Sequence, residues 1–156
     1  TAVINMPKLL ETLNARIEHL LDADHCIGHG YFMGCKTTSD LIAVFARKVI
    51  PLLNEYFYGN AGLLLLVLGD TPGGANNILQ VIEPETSFGK VFNVDRDVAA
   101  KLGYRAHEAA LAVRLEPRFW DQSRAIPGPQ DEVYAARAIQ KIYEVVLPAP
   151  VGSGNG

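Results

Sequence analysis

The side chains best equipped for chemistry gather early in the chain: His25, Cys26, His29 and Cys35. Thiolate and imidazole are the ligands of structural zinc sites, and a ring of four could close one. The spacing opposes it. His25 and Cys26 are adjacent, whereas neighbouring zinc ligands usually stand two or more residues apart, and only Asp22 and Asp24 are at hand to orient them. The residues therefore predict no metal centre but two thiols beside ordinary histidines. A cysteine–histidine nucleophile, pairing Cys26 or Cys35 with His29 or His107, needs an orienting third group that the sequence does not supply. The better candidate is Gly28-His29-Gly30-Tyr31-Phe32. Two glycines around His29 allow a ligand close to the backbone, and a helix starting nearby would aim free amides at a phosphate. Its plain structural reading is a turn between helices, with Tyr31 and Phe32 packed into the core.

The elements that must position this segment can be read from periodicity. Asn5 caps a helix that tolerates Pro7 in its first turn, and Leu9, Leu13, Ile17 and Leu21 recur every four residues, predicting an amphipathic helix of about five turns. Thr38 or Ser39 opens a second helix, dense in Leu41, Ile42, Phe45, Val49, Leu53 and Tyr56, and so sandwiched between other elements. Pro51 lies inside it and should kink or restart it near Lys48, at a cost of about 3 kcal/mol. Over the run Leu63–Leu68 periodicity does not separate a buried strand from a short buried helix, but the leucine-rich composition and Asn60 as a cap favour helix, and a breaker-rich loop follows over Gly69–Asn77. Ile78–Ile82 and Val91–Val94 are expected to pair as a hairpin across Glu83–Lys90, with weak helical patterns near Val98–Leu102 and Glu108–Leu115. A last amphipathic helix places Val133, Ala136, Ile139, Ile142, Tyr143 and Val146 on one face. The expected core includes Leu13, Ile17, Phe32, Phe45, Leu53 and Tyr56.

Composition narrows the function classes. The chain has 156 residues, 49% hydrophobic and 20% charged, with a formal net charge of −3, which suits a folded globular chain and not the basic footprint of a nucleic-acid binder. The six-residue aliphatic run Leu63–Leu68 falls far short of the roughly 20 residues that span a bilayer, so no membrane partner is expected. Two cysteines are too few for a disulfide scaffold, and a cytoplasmic location is the default. No Gly-Lys-Ser/Thr phosphate loop, His-Glu-x-x-His or Gly-x-Ser-x-Gly is present, so no catalytic residue is assigned. The abrupt start at Thr1 and the polar tail over 148–156 suggest a piece of a longer protein.

Taken in order, three strings carry a resemblance. They are Asn14-Ala15-Arg16-Ile17-Glu18, then Ile27-Gly28-His29-Gly30-Tyr31-Phe32, then Ile50-Pro51-Leu52-Leu53-Asn54-Glu55-Tyr56-Phe57, with Val67-Leu68-Gly69-Asp70 after them. Together they resemble the region after the nucleotide-binding core in McrB-type AAA+ proteins, the GTPase subunit of 5-methylcytosine-specific restriction systems. Beyond Asp70 the likeness weakens, although Glu132-Val133-Tyr134 and Ile139–Glu144 are similar to the family's closing helix.

The resemblance implies a mainly α fold: a helical lid subdomain of a AAA+ module over residues 1–70, a small C-terminal α/β extension with a short hairpin over 71–147, and the tail. It implies GTP (or ATP) and Mg²⁺ as cofactors, bound mainly by a core upstream of this chain. The implied partners are further copies in a hexameric ring, an McrC-like nuclease subunit, and DNA through a separate N-terminal domain. The lid would cap the nucleotide site through Gly28, His29, Gly30 and Tyr31, with an apolar underside resting on that core. No arginine lies between Arg16 and Arg47, where many AAA+ lids carry a phosphate sensor, so His29 is the substitute candidate. Alone, the segment should be inactive. The alternative reading is a stand-alone helical protein-interaction module without catalysis.

Overall fold

The first helix begins where the Asn5 side chain accepts a hydrogen bond from the Lys8 amide and Pro7 fills a position whose missing N–H costs nothing. In the computed structural model, which describes residues 4–82, 92–103 and 112–144, this is α1, Met6–Leu20. Leu9, Leu13 and Ile17 are fully buried along one stripe, as the four-residue spacing predicts. The helix is about one turn shorter than expected. Asp22 turns the chain by capping the 3-10 turn Ala23–His25, and a second 3-10 turn follows over His29–Phe32.

Helix α2, Thr38–Val44, starts at a reciprocal capping box: the Thr37 hydroxyl accepts from the Asp40 amide while the Asp40 carboxylate accepts from the Thr37 amide. The disturbance expected from Pro51 takes a specific form. Pro51 offers no amide to the Arg47 carbonyl, and the preceding residues Phe45–Val49 widen into a π-helical turn in which the Ile50 amide bonds to the Phe45 carbonyl. The path then continues as α3, Ile50–Tyr56, so the helix is widened without being broken. Phe45, Ala46, Val49, Ile50 and Leu53 are all buried around the bulge, and that burial offsets the lost helical bond. Tyr56, expected in the core, is only half-buried; its ring meets the edge of His25 at 4.9 Å, at the boundary with solvent.

Helix α4, Ala61–Leu68, is capped by Asn60 and closes on Gly69, whose φ of +71° is the left-handed geometry that glycine accepts without strain. Leu64, Leu65, Val67 and Leu68 are buried, while Leu66 stands 59% exposed. The chain then forms β1, Leu79–Ile82, which pairs antiparallel with β2, Ala112–Leu115, in the register Leu79↔Leu115 to Ile82↔Ala112. This corrects two expectations. The strand's partner is 112–115 and not 91–94: Asn93 and Val94 sit in a bend, Asn93 with φ +55°, and Val91 and the connection 83–90 lie outside the described residues. The helical pattern read over Glu108–Leu115 ends in a strand, because Val113 and Leu115 alternate with Ala112 and Arg114 across the pleat.

Helix α5, Arg96–Lys101, is capped by Asp95 and overlaps the helical pattern expected near Val98–Leu102. Helix α6, Glu132–Tyr143, is capped by Asp131 and lies against α1 and α2. Ala136, Ile139, Ile142 and Tyr143 are buried as expected, but Val133 is 64% exposed, and Tyr134, Ala135 and Ala138 take its place in the core. Val146 lies outside the described residues. Phe119 and Trp120, in the turn before α6, join the same cluster as Leu13, Phe45, Leu53 and Ile139. No helix among the described residues is long and apolar enough to cross a membrane.

Polar bonds tie the distant parts together. The Arg16 guanidinium donates to the carbonyls of Val67 and Ile142, each at 2.8 Å, joining α1 to the ends of α4 and α6. Asp70 is buried, accepts from the amides of Ile78 and Leu79, and receives Lys141 Nζ at 2.6 Å. Lys141 also donates to the Leu68 carbonyl, satisfying the last turn of α4. Burial pushes the Lys141 ammonium down from its ordinary value, and the Asp70 carboxylate works against that shift.

Candidate functional site

Between α1 and α2 the chain makes a short excursion whose two ends are fixed. At the first end, Ile27 is buried and its amide donates to Asn14 Oδ1 at 2.6 Å, while Asn14 Nδ2 donates to the Ile27 carbonyl at 2.8 Å. At the second, Phe32 is buried with its ring 6.1 Å from that of Phe45 on the π-turn. Gly28, His29, Gly30 and Tyr31 lie between these anchors and reach the surface. The Tyr31 amide bonds back to the Gly28 carbonyl and the Met33 amide to that of Gly30, which makes the 3-10 turn.

The structure thus brings all four predicted site residues onto one turn. His29 is exposed, and its imidazole has no hydrogen-bond partner among the described residues. Beside it opens a shallow depression of about 380 Å³ lined by Met6, Pro7, Leu10, Phe32 and Met33, with Met33 75% exposed. Neither glycine is demanded by neighbours: a Cβ built on Gly28 or Gly30 would meet nothing within 4 Å. Tyr31, expected in the core under the plain reading, lies at the surface, and Phe32 alone packs inward.

Other sequence candidates fare differently. No group of three or more His, Cys, Asp or Glu side chains comes together to hold a metal ion among the described residues. His25 is engaged instead by the Asp22 carboxylate and the Tyr56 ring. That hydrogen bond, before any other contact, holds the Asp22 carboxyl below its usual range. Both thiols are free, and burial first of all pushes both up from their ordinary value, which favours the thiol over the thiolate. His107 lies outside the described residues. At the start of α2 the Asp40 carboxylate receives the amides of Lys36 and Thr37, which places a negative charge beside that helix end.

The sequence placed Asn14 and Arg16 in the first string of the resemblance and gave neither side chain a structural role. A mid-helix asparagine is a weak helix former, and that is the local signal that its amide serves something else.

The architecture is a set of short helices and a two-stranded sheet around one core, with an exposed turn at its rim. Residues 5–64 match the family model described as McrB, alpha-helical lid domain, which runs from the α1 cap into the middle of α4. That stretch is therefore a McrB-type lid region, covering residues 5–64 of the 156. No curated protein matches the chain.

Proposed function

We propose that this chain supplies the lid of a McrB-like AAA+ nucleoside triphosphatase and that the Gly28–Tyr31 turn faces the nucleotide. The observation that carries the reading is the turn itself. It is pinned at Ile27 and Phe32, yet it leaves the His29 imidazole free beside an apolar depression and open space above two glycines. An imidazole can donate to a phosphate or ribose oxygen, the glycines let that group come near the backbone, and the Met6, Leu10 and Met33 surface suits the face of a base. GTP, with ATP as the other choice, is the nucleotide of this reading. Mg²⁺ belongs to the phosphate-binding core, because the turn presents no carboxylate to hold it. Hydrolysis in a hexameric ring, work on methylated DNA and an McrC-like nuclease partner complete the proposal, and this chain contributes to them by capping the nucleotide and supporting ring assembly.

The test uses the protein in which this lid is joined to its nucleotide-binding core. His29→Ala should raise the KM for GTP or ATP, or lower kcat, by about 5- to 150-fold, equivalent to roughly 1–3 kcal/mol. Unchanged kinetics would remove the turn from the nucleotide site. The reading as a stand-alone interaction module rests on other exposed apolar residues, Tyr58 at 92% and Leu66 at 59%. It predicts that Tyr58→Ala weakens a protein partner while His29→Ala leaves nucleotide turnover untouched.

A further inference from the structure

We infer that Asn14 is a positioning residue for the His29 turn, acting through the two hydrogen bonds that its side-chain amide makes with the backbone of Ile27. The inference rests on the proposed nucleotide-facing role of His29. Ile27 is 2% exposed, so water cannot stand in for a lost partner, and neither its amide nor its carbonyl bonds to other backbone among the described residues. Only a side chain that presents one donor and one acceptor side by side can satisfy both at once. A carboxylate accepts only, a lysine or arginine donates only, and a serine hydroxyl is too short. Asparagine meets the requirement from the middle of α1, where its poor helix propensity brings no other benefit.

The geometry makes this clamp directional. Asn14 sits on the rigid wall of α1, one turn before Ile17 in the buried stripe, so the position of Ile27 is set by the helix and not by the loop. The Cys26 thiol adds a contact to the Asn14 carbonyl at 3.7 Å. Gly28 then runs extended, with φ −75° and ψ 150°, into the turn that ends at the buried Phe32. With Ile27 and Phe32 both held, few backbone torsions remain to re-aim His29. Releasing Ile27 would let the turn swing and spread the imidazole over many orientations, weakening any contact that needs one of them.

A double-mutant cycle on the core-containing protein reads the coupling, with fluorescent GTP and ATP analogues for Kd and steady-state hydrolysis for KM and kcat. Asn14→Asp is nearly isosteric and replaces the donor by a second acceptor facing the Ile27 carbonyl. It should raise nucleotide Kd and KM by about 3- to 30-fold, with kcat changed less than KM. The double variant H29A/N14D should bind no worse than H29A, within about twofold, because the clamp acts only through the turn. If H29A weakens binding while N14D binds normally, or if the two losses multiply in the double variant, the positioning role is wrong and the nucleotide-facing reading stands. If H29A has no effect, that reading falls and this inference with it. Should N14D fail to fold, Asn14→Ala runs through the same cycle. If neither folds, Asn14 serves folding alone and the inference is overturned.

Discussion

At the scale of single residues, the pair Asp70 and Lys141 shows how unequal two halves of one ion pair can be. Asp70 is buried and serves three donors: two backbone amides and the lysine. Lys141 keeps partial access to water and also donates to the carbonyls of Leu68 and Ala138. Removing the carboxylate leaves the half-buried Lys141 ammonium without its counter-charge and strands the amides of Ile78 and Leu79, so Asp70→Ala should cost about 3–5 kcal/mol of stability. Lys141→Met leaves Asp70 with two amide donors and replaces the stem with a similar apolar volume, so it should cost clearly less. Urea titrations of the two variants test the order. Equal losses would mean that the pair, and not the amide-binding carboxylate, holds the α4–β1 corner. Asn14 belongs to the same class of residue, a polar side chain that fixes buried backbone where no strand or helix does.

At the scale of elements, the long α2–α3 path is set by its two punctuation marks. Pro51 converts one stretch to a π-turn without ending the helix, and the wider turn directs Phe45 toward Phe32, which anchors the site turn. The other mark is the capping box, where the amides of Lys36 and then Thr37 hold the Asp40 carboxyl below its ordinary value. A carboxyl whose folded value is depressed adds stability that is fully present above its unfolded value, near pH 4, and that is lost as pH falls through the folded value. The melting temperature should therefore drop as pH falls from about 5 to 2, and Asp40→Asn should flatten part of that drop. Asp22 and Asp121 shift in the same direction and add to the drop. Identical acid profiles for wild type and D40N would show that the box contributes nothing through charge.

At the scale of the whole molecule, the core does not stop where the lid-family match stops. Helix α6 places Tyr134, Ala135, Ala138, Ile139 and Ile142 into the cluster that holds Leu13 and Phe45, and its end takes the Arg16 bond. The Tyr143 hydroxyl accepts from the Asn5 amide, so the last helix also fastens the first residues of α1. Losing Ile139 and Ile142 alone forfeits about 3–6 kcal/mol of apolar burial. That is comparable with the roughly 5–15 kcal/mol by which a domain of this kind is stable. A chain ended after Gln130 should thus lose its cooperative thermal transition and bind a hydrophobic dye, as read by circular dichroism and fluorescence. A sharp, unshifted transition in the shortened chain would show that α6 is an accessory to the lid.

The sequence by itself determined what local rules govern. The i, i+4 leucine stripe, the caps at Asn5 and Asn60, the disturbance at Pro51, and a turn at Gly28–Tyr31 were all legible, because each depends on residues within a few positions of one another. Tertiary structure alone decided the strand partner of Leu79–Ile82, the exposure of Val133 and Leu66, and the polar ties of Asn14, Arg16 and Asp70. Asp70 and Lys141 are 71 positions apart, and Arg16 and Ile142 are 126 apart. Periodicity carries no record of such pairs. A polar side chain off an apolar stripe looks solvated until the fold brings a buried carbonyl or amide within reach, and only then does water cease to be its partner.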